Sequence, residues 1–278
     1  MMTKRCLMAV GAHADDIELL AGGTLLKYHD QGYDVVYVMS TNNMSGSWSR
    51  VKPDGTKEST LPPYHVIEPQ RKLEAAAAAK LFGTVPIHLE HPQRHYTRDD
   101  GKVEELRYGS ERPKTVAPNT PTIITAYEDA ASVKRLSDLM LEKNPEAVFT
   151  HALGDWNIEH LGTCLLVTKA YRKAVESGYG GMLLYVPNGT ATFGERMAQW
   201  ETFVDISRFG DRKLEAIGTH ACQFATPHQT DYPILEQWQF WGTACGCRYA
   251  EVFVIAGHPA VQASTPEFTL EIIQHRQV

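Results

Sequence analysis

The stretch 9–18, with the sequence AVGAHADDIE, constrains the fold of this chain more than any other segment. It starts inside the apolar run 6–10, whose length and flanks are typical of a buried parallel strand, and a helical spacing of apolar residues begins after Asp15. His13, Asp15 and Asp16 are therefore predicted to lie at the carboxyl end of a first strand. Ligands bind at that edge of open α/β sheets.

The polar residues of this turn have two interpretations. A phosphate site needs glycines and bare backbone N–H groups, whereas this chain has an imidazole and two carboxylates, which suit a hard or borderline metal cation. Alternatively, Asp15 and Asp16 only cap the next helix, because acidic side chains interact favourably with its positive end. Taken alone, the turn leaves both interpretations open.

The composition excludes several classes of protein. A chain of 278 residues can form one large α/β domain with a buried core, and its hydrophobic fraction of 43% is ordinary for a globular protein. The net charge of −6, without a basic stripe, argues against nucleic acid as a partner. No segment approaches the ~20 apolar residues of a membrane span, and the first apolar run is too short for a signal peptide. Five scattered cysteines favour reduced thiols in a cytoplasmic protein.

Hydrophobic patterning predicts an alternation of strands and helices. The predicted strands are 6–10, 34–39, 85–89, 145–150, 182–186, 202–206 and 251–255. A first helix follows Asp15 and ends at Gly32, and the later helices are predicted at 70–82, 125–143, 158–177 and 212–223. This alternation favours an α/β fold with a Rossmann-like, mostly parallel sheet flanked by helices, in a single domain spanning residues 1–278.

Two polar segments interrupt the alternation, at about 41–69 and 91–122. Both are rich in turn residues and lack hydrophobic periodicity, so they are predicted to be irregular insertions. The first leaves the carboxyl end of the second strand, so it either lies over the His13 turn as a lid or substrate wall, or is a mobile insertion.

A second polar cluster, HALGDWNIEH at 151–160, repeats the layout of the first turn. An apolar strand ends, polar residues gather and a helix begins. Because the carboxyl ends of parallel strands share one edge, His13, Asp16 and His160 are predicted to form a zinc site with an open position for water. Asp15 diverges from its neighbour, so it is free to take a proton from the attacking water.

Four motifs resemble those of the LmbE-like, or PIG-L, N-deacetylases. Residues 12–25 are similar to the family's AHPDDxE…GGTL signature, and residues 151–160 are similar to its HxxxDxHxDH segment. Arg71 belongs to a helix similar to the RxxE helix, and residues 213–223 resemble the KxxAxxxHxSQ helix. The four motifs occur in the family's order and span residues 12–223.

This resemblance implies a reaction and a set of roles. His13, Asp16 and His160 would bind zinc or another divalent first-row metal, Asp15 would be the general base, and Arg71 would lie near the substrate. The implied reaction is hydrolysis of the N-acetyl group of a small sugar or glycoconjugate of the N-acetylglucosamine type, in a protein for which a homo-oligomer stays open. The residues expected to touch the substrate or to support the ligands are Arg71, His151, Asp155, Asn157, Glu159 and His220.

Two departures from the family pattern concern the catalytic proton. Asn157 stands where the family has a histidine, and Glu159 replaces an aspartate. Asn157 can donate a hydrogen bond to an oxyanion but cannot carry a proton to the leaving amine. Three alternatives follow: Asp15 moves this proton alone, His151 or His220 supplies it, or the chain is a weakened relative that binds a sugar or metal or cleaves another bond.

Overall fold

The structure, a computed structural model, describes residues 5–105, 121–187, 202–224 and 234–257. Its strands are β1 (Cys6–Gly11), β2 (Asp34–Thr41), β3 (Trp48–Val51), β4 (Lys57–Thr60), β5 (Ile87–His91), β6 (His95–Thr97), β7 (Val103–Glu105), β8 (Ala147–His151), β9 (Met182–Val186), β10 (Thr202–Asp205) and β11 (Ala250–Gly257). Its helices are α1 (Asp16–Asp30), α2 (Tyr64–Leu81), α3 (Ala130–Lys143), α4 (Ile158–Glu176), α5 (Gly210–Gly218), α6 (Ala221–Phe224) and α7 (Ile234–Cys245).

The central sheet has seven strands in the order β10-β11-β9-β8-β1-β2-β5. The strands from β9 to β5 pair in parallel, while β11 pairs antiparallel with both β9 and β10. β1 and β8 are therefore neighbours, and their carboxyl ends meet at one edge. The prediction of a mostly parallel α/β sheet flanked by helices is confirmed.

Helices cover both faces of this sheet, and β1 is buried along its whole length for that reason. Side chains alternate across a strand, so Leu7 and Ala9 pack into one core with α1, whereas Met8 and Val10 pack into a second core with α4. The result is a three-layer helix–sheet–helix arrangement. No helix in the described ranges is long and apolar enough to cross a membrane.

Several helix boundaries differ from the predictions. α2 begins at Tyr64 rather than at residue 70, so Pro69 lies inside it. The segment predicted as a helix from 125 forms a short 3₁₀ turn first, and α3 starts after Asp129, whose Oδ2 accepts a hydrogen bond from Ser132 N at 2.8 Å. The predicted helix 212–223 is two helices, because His220 N bonds the carbonyl three residues earlier, as in a 3₁₀ turn.

Both polar segments contain hairpins that the sequence did not predict. β3 and β4 form one hairpin within 41–69, and β6 and β7 form another within 91–122. Residues 106–120 of the second segment lie outside the described residues. The extent of a single domain over the whole chain stays a prediction.

A buried ion pair between Lys213 and Glu251 contacts α1, the helix that follows the turn at His13. Gly23 N and Thr24 N each donate to a carboxylate oxygen of Glu251 at 2.8 Å. The carbonyl of Leu19, four residues before Gly23, accepts a hydrogen bond from Lys213 Nζ at 2.9 Å. Lys213 Nζ also lies 2.6 Å from Glu251 Oε1. The pair therefore bonds backbone groups of α1 and ties this helix to β11 and α5.

Gly23 is required at this turn by close packing. A Cβ atom built at Gly23 would lie 2.8 Å from Cδ1 of Ile206, well inside van der Waals contact. A Cβ at the neighbouring Gly22 would meet its nearest atom at 3.5 Å, an ordinary distance. Only the second of the two glycines is therefore needed for α1 to approach the chain beyond β10.

Candidate metal centre

Three buried side chains converge where β1 and β8 end. His13 follows β1, Asp16 begins α1, and His160 lies in the first turn of α4. His13 Nδ1 is 3.1 Å from His160 Nε2 and 3.5 Å from Asp16 Oδ2, and His160 Nε2 is 3.3 Å from Asp16 Oδ1. Donors bound to one tetrahedral zinc at ~2.1 Å are about 3.4 Å apart. The donor set and its spacing therefore fit a divalent cation.

The second nitrogen of each histidine is held by a carboxylate. His13 Nε2 lies 2.6 Å from Glu159 Oε2, and His160 Nδ1 lies 2.8 Å from Asp155 Oδ2. Such pairing is typical of metal-binding histidines, because it fixes the ring and leaves the other nitrogen for the metal. Here it leaves His13 Nδ1 and His160 Nε2, the two nitrogens that face each other.

Glu159 is itself anchored by the second polar segment. Its Oε2 accepts a hydrogen bond from Gln93 Nε2 at 3.0 Å, and its Oε1 accepts from Arg94 N at 2.5 Å. Burial acts to raise the pKa of Glu159, but these bonds and the contact with His13 prevail and lower the pKa to about 2. Glu159 is therefore a fixed negative charge beside the metal-type group.

The surrounding carboxylates also change the basicity of the two imidazoles. Burial opposes protonation of both rings, but Asp16 and Glu159 raise the pKa of His13 to about 8, and Asp16 and Asp155 raise the pKa of His160 to about 10. The pKa of Asp16 lies well below its usual value, because burial is outweighed by the histidines around it. The centre thus attracts positive charge, whether a proton or a metal ion.

Asp15 has a different conformation from its neighbour and a different environment. Its φ of +130° is rare for a residue other than glycine and costs ~1–3 kcal/mol. Asp15 occupies the position before α1, but within the described residues its side chain makes no capping hydrogen bond to this helix. Its Oδ1 lies 3.3 Å from Arg71 Nη2. Burial raises the pKa of Asp15 to about 6, although Arg71 opposes the rise.

Arg71 is buried beside this base and fixed by backbone carbonyls. Its Nη1 donates to Ser45 O and its Nη2 donates to Ala14 O, both at 2.8 Å. These bonds join α2 to the loop after β2 and to the turn between β1 and α1. Arg71 therefore holds Asp15 in place, and its position near the substrate stays a prediction.

Two other predicted residues, His151 and His220, are enclosed away from the cavity. His151 is fully buried behind Asp16 and stacks on His160 with ring centres 4.0 Å apart, and its pKa is lowered by burial and by His160. His220 is also fully buried, with Nε2 3.1 Å from Glu18 Oε2, and Glu18 raises its pKa against the effect of burial. Neither histidine is among the described residues that line the cavity.

Asn157 does line the cavity, but part of its amide is occupied. Its Oδ1 accepts a hydrogen bond from Glu159 N at 2.9 Å, which makes Asn157 the cap of α4. An asparagine therefore fits the local geometry at this position, but it adds no proton donor of its own.

The cavity in front of His13, Asp16 and His160 has a volume of about 750 Å³. Residues of the first polar segment, from Ser45 to Ser49 and at Ser59, form one wall, as the substrate-wall interpretation predicts. The exposed indole of Trp156 lies beside the mouth, and Gln93 and His95 enter from the second polar segment. Sequence reasoning missed Gln93 and His95, because no periodic pattern marks the segment that contains them.

A buried group of two histidines and one aspartate, with a second carboxylate beside it at the carboxyl edge of a parallel sheet, defines an α/β protein with a group that could hold a metal ion. The family described as PIG-L: GlcNAc-PI de-N-acetylase matches residues 8–171. The chain belongs to this family of deacetylases, which confirms the resemblance noted in its motifs.

Similar proteins extend the match beyond these residues. The chain is 25% identical to the diacetylchitobiose deacetylase of Thermococcus kodakarensis over 256 residues, covering 88% of this chain and 80% of that protein. Its fold is similar to the N,N'-diacetylchitobiose deacetylase of Pyrococcus horikoshii (TM-score 0.60, 19% identity, 90% and 83% coverage). It is also similar to GalB, the 4-carboxy-2-hydroxymuconate hydratase of Pseudomonas putida KT2440 (TM-score 0.63, 19% identity, 93% and 98% coverage). The fold therefore occurs with more than one reaction.

Proposed function

We propose that this protein is a zinc-dependent N-deacetylase that acts on a small sugar or glycoconjugate of the N-acetylglucosamine type. The observation that carries the proposal is the arrangement of His13, Asp16 and His160 at the spacing of metal ligands, with Asp15 beside them in one cavity. Two histidines and one carboxylate also suit other first-row ions, and the tetrahedral spacing of the donors favours zinc.

The residues around the cavity have distinct roles in this reaction. A cation held by His13, Asp16 and His160 would polarise the amide carbonyl and acidify the attacking water. Asp15 accepts the proton of that water, since its carboxylate lies in the same cavity and is not used as a cap. Arg71 keeps this carboxylate in place.

The expected substrate is a small acetylated sugar for two reasons. The cavity volume of about 750 Å³ is that of a small-molecule site. The names of the archaeal relatives give diacetylchitobiose as the compound on which they act.

The five free cysteines support a reducing compartment, and we place the protein in the cytoplasm on that ground.

Acetate release from a panel of compounds tests the proposal. The metal-loaded protein is incubated with N-acetylglucosamine, N,N'-diacetylchitobiose and an acetylated amine that is not a sugar. The Asp15→Asn variant is expected to lower kcat by about 10²–10⁴-fold, the usual contribution of a general base, and to keep its metal. Asp54→Asn, at an exposed turn and outside the described lining of the cavity, is the matched control.

Two results would count against the proposal in different ways. Unchanged turnover in Asp15→Asn would remove Asp15 as the base. A wild-type protein that binds no divalent ion, and that gains no thermal stability when zinc is added, would remove the metal centre. Asp16→Asn should abolish zinc binding in the same assay, and it distinguishes this centre from adventitious surface sites.

Asn157 favours a second candidate, a relative that binds a sugar or acts on another bond. This candidate predicts stoichiometric zinc and measurable sugar binding without release of acetate from any member of the panel. Because metal content, sugar binding and acetate are measured separately, the two candidates give different results.

A further inference from the structure

The leaving nitrogen of an amide needs a proton, because an alkylamide anion is too basic to depart. Asn157 cannot supply this proton, and His151 and His220 are enclosed away from the cavity. Lys213 reaches the cavity lining, but its ammonium group is bound to Glu251 and to a backbone carbonyl. Two possibilities remain: Asp15 returns the proton that it takes from water, or another group in the cavity supplies it.

His95 is such a group. Among the described residues that line the cavity, it is the one imidazole besides His13 and His160. Its Nδ1 is buried and has no hydrogen-bond partner among the described residues. A buried polar atom without a partner is uncommon in a folded protein and needs an explanation, which the adjoining cavity supplies for His95.

The segment that carries His95 is fixed to the metal-type centre. Gln93 and Arg94 both bond Glu159, which contacts His13. On the other side, the ring of Tyr96 packs against Tyr64 with ring centres 5.5 Å apart. Because neighbouring side chains on a strand point to opposite faces, these anchors direct His95 to the cavity.

We propose that His95 is the general acid of this enzyme and takes the place of the family histidine that Asn157 replaces. The inference rests on the proposed deacetylase function and adds to it a catalytic residue from the second polar segment. It also explains how an asparagine is compatible with catalysis at position 157.

The proton balance of the reaction is complete with these groups. Water adds its hydroxyl to the carbonyl carbon while Asp15 takes the proton. As the C–N bond breaks, its electron pair goes to nitrogen, and the imidazolium of His95 gives nitrogen a proton. The amine and acetic acid leave and exchange a proton to become ammonium and acetate, and the proton on Asp15 returns to His95 through solvent.

The dependence on the leaving group tests this role. His95→Gln is expected to lower kcat for N,N'-diacetylchitobiose by about 10²–10³-fold, within the range of general acids. With p-nitrophenyl acetate, whose phenolate departs without a proton, the loss should be less than about threefold on the same principle. His88→Gln is the matched control, because His88 on β5 also has a buried Nδ1 without a partner but does not line the cavity among the described residues.

Recovery of the activity lost in His95→Gln provides a second test of the role of His95. Asn157→His restores the family histidine, so in the His95→Gln background it should recover at least about tenfold of the lost activity. In addition, NMR of the Asp15→Asn protein should show that N-acetylglucosamine shifts the ring signals of His95 and leaves those of His88 unchanged.

The outcomes distinguish a failure of the role of His95 from a failure of the proposed deacetylase function. If the wild type releases acetate and His95→Gln is as active, or loses activity equally with both compounds, His95 is not the acid. If the wild type releases acetate from no acetylated sugar, the deacetylase function itself is wrong. Zinc content measured in every variant excludes loss of the metal as the cause of a lower rate.

Discussion

The Lys213→Met substitution is expected to destabilise the protein by about 3–5 kcal/mol, the usual cost of removing one partner of a buried ion pair. Both side chains of the Lys213–Glu251 pair are almost fully buried, at 0% and 2% exposure. Without the lysine, the carboxylate of Glu251 keeps two backbone donors but loses its counter-charge. The carbonyl of Leu19 loses its partner as well.

The separate contacts give a loss of similar size. The hydrogen bond from the charged lysine to the carbonyl of Leu19 contributes about 1.5–3 kcal/mol. The ammonium also lies 4.2 Å from the ring centre of Trp238, a cation–π contact of about 0.5–2 kcal/mol. Methionine replaces most of the lysine stem, so a cavity adds little. The remaining loss comes from the unpaired carboxylate of Glu251.

Urea unfolding at pH 7, followed by circular dichroism, measures the effect. The double variant Lys213→Met/Glu251→Gln should lose at least about 1 kcal/mol less unfolding free energy than the two single variants lose together, because no unpaired charge remains. Lys134→Met breaks an exposed pair with Asp138 and should cost less than about 0.5 kcal/mol. A Lys213→Met protein within 1 kcal/mol of the wild type would refute the assigned role of the pair.

Three further changes test other features. Gly23→Ala should destabilise by about 1–3 kcal/mol in urea, because its Cβ would overlap Ile206, while Gly22→Ala should be neutral or stabilising. Glu159→Gln should weaken zinc affinity about 10–100-fold in a competition assay, because it removes the carboxylate that orients His13. Zinc binding should release protons and weaken as the pH falls from 8 to 6, since the metal displaces a proton from His13, whose pKa is about 8. Calorimetry in two buffers of different ionisation enthalpy measures this release, and its absence at pH 7 would contradict the prediction.

The sequence predicts those parts of the fold that depend on local signals. β1 and β2 are continuous apolar runs, which mark strands buried on both faces. The end of α1 is marked by Gly32, which adopts a φ of +91° that other residues rarely adopt. Such signals lie within a few residues of the feature they specify.

Non-local packing explains the features that were missed. β11 enters the sheet between β9 and β10, and no local pattern encodes a partner so distant in sequence. α2 begins before Pro69, because the rest of the helix packs well enough to tolerate the missing N–H. In the polar segments β4 and β7 are mostly exposed and β6 is mostly buried, and the sequences of these short strands lack the alternation that marks half-buried strands.

The candidate site follows the same division. Motif order and strand ends predict the grouping of His13, Asp16 and His160, which the structure reproduces. Asp155 and Glu159 were predicted to touch the substrate or to support the ligands, but the histidine that each one holds was not predicted, because it depends on ring orientation. His95 was missed because its approach depends on the path of the second polar segment.

The bonds between Glu251 and α1 also have a consequence for the nascent chain. Gly23 and Glu251 are 228 residues apart, so about 10–50 s of synthesis separate them at ~5–20 residues per second. During that interval Gly23 N and the carbonyl of Leu19 have no distant partner and can bond each other in an ordinary helical turn. The first helix can therefore form early from local bonds, and its bonds to Glu251 form only after the chain that carries Glu251 has left the ribosome.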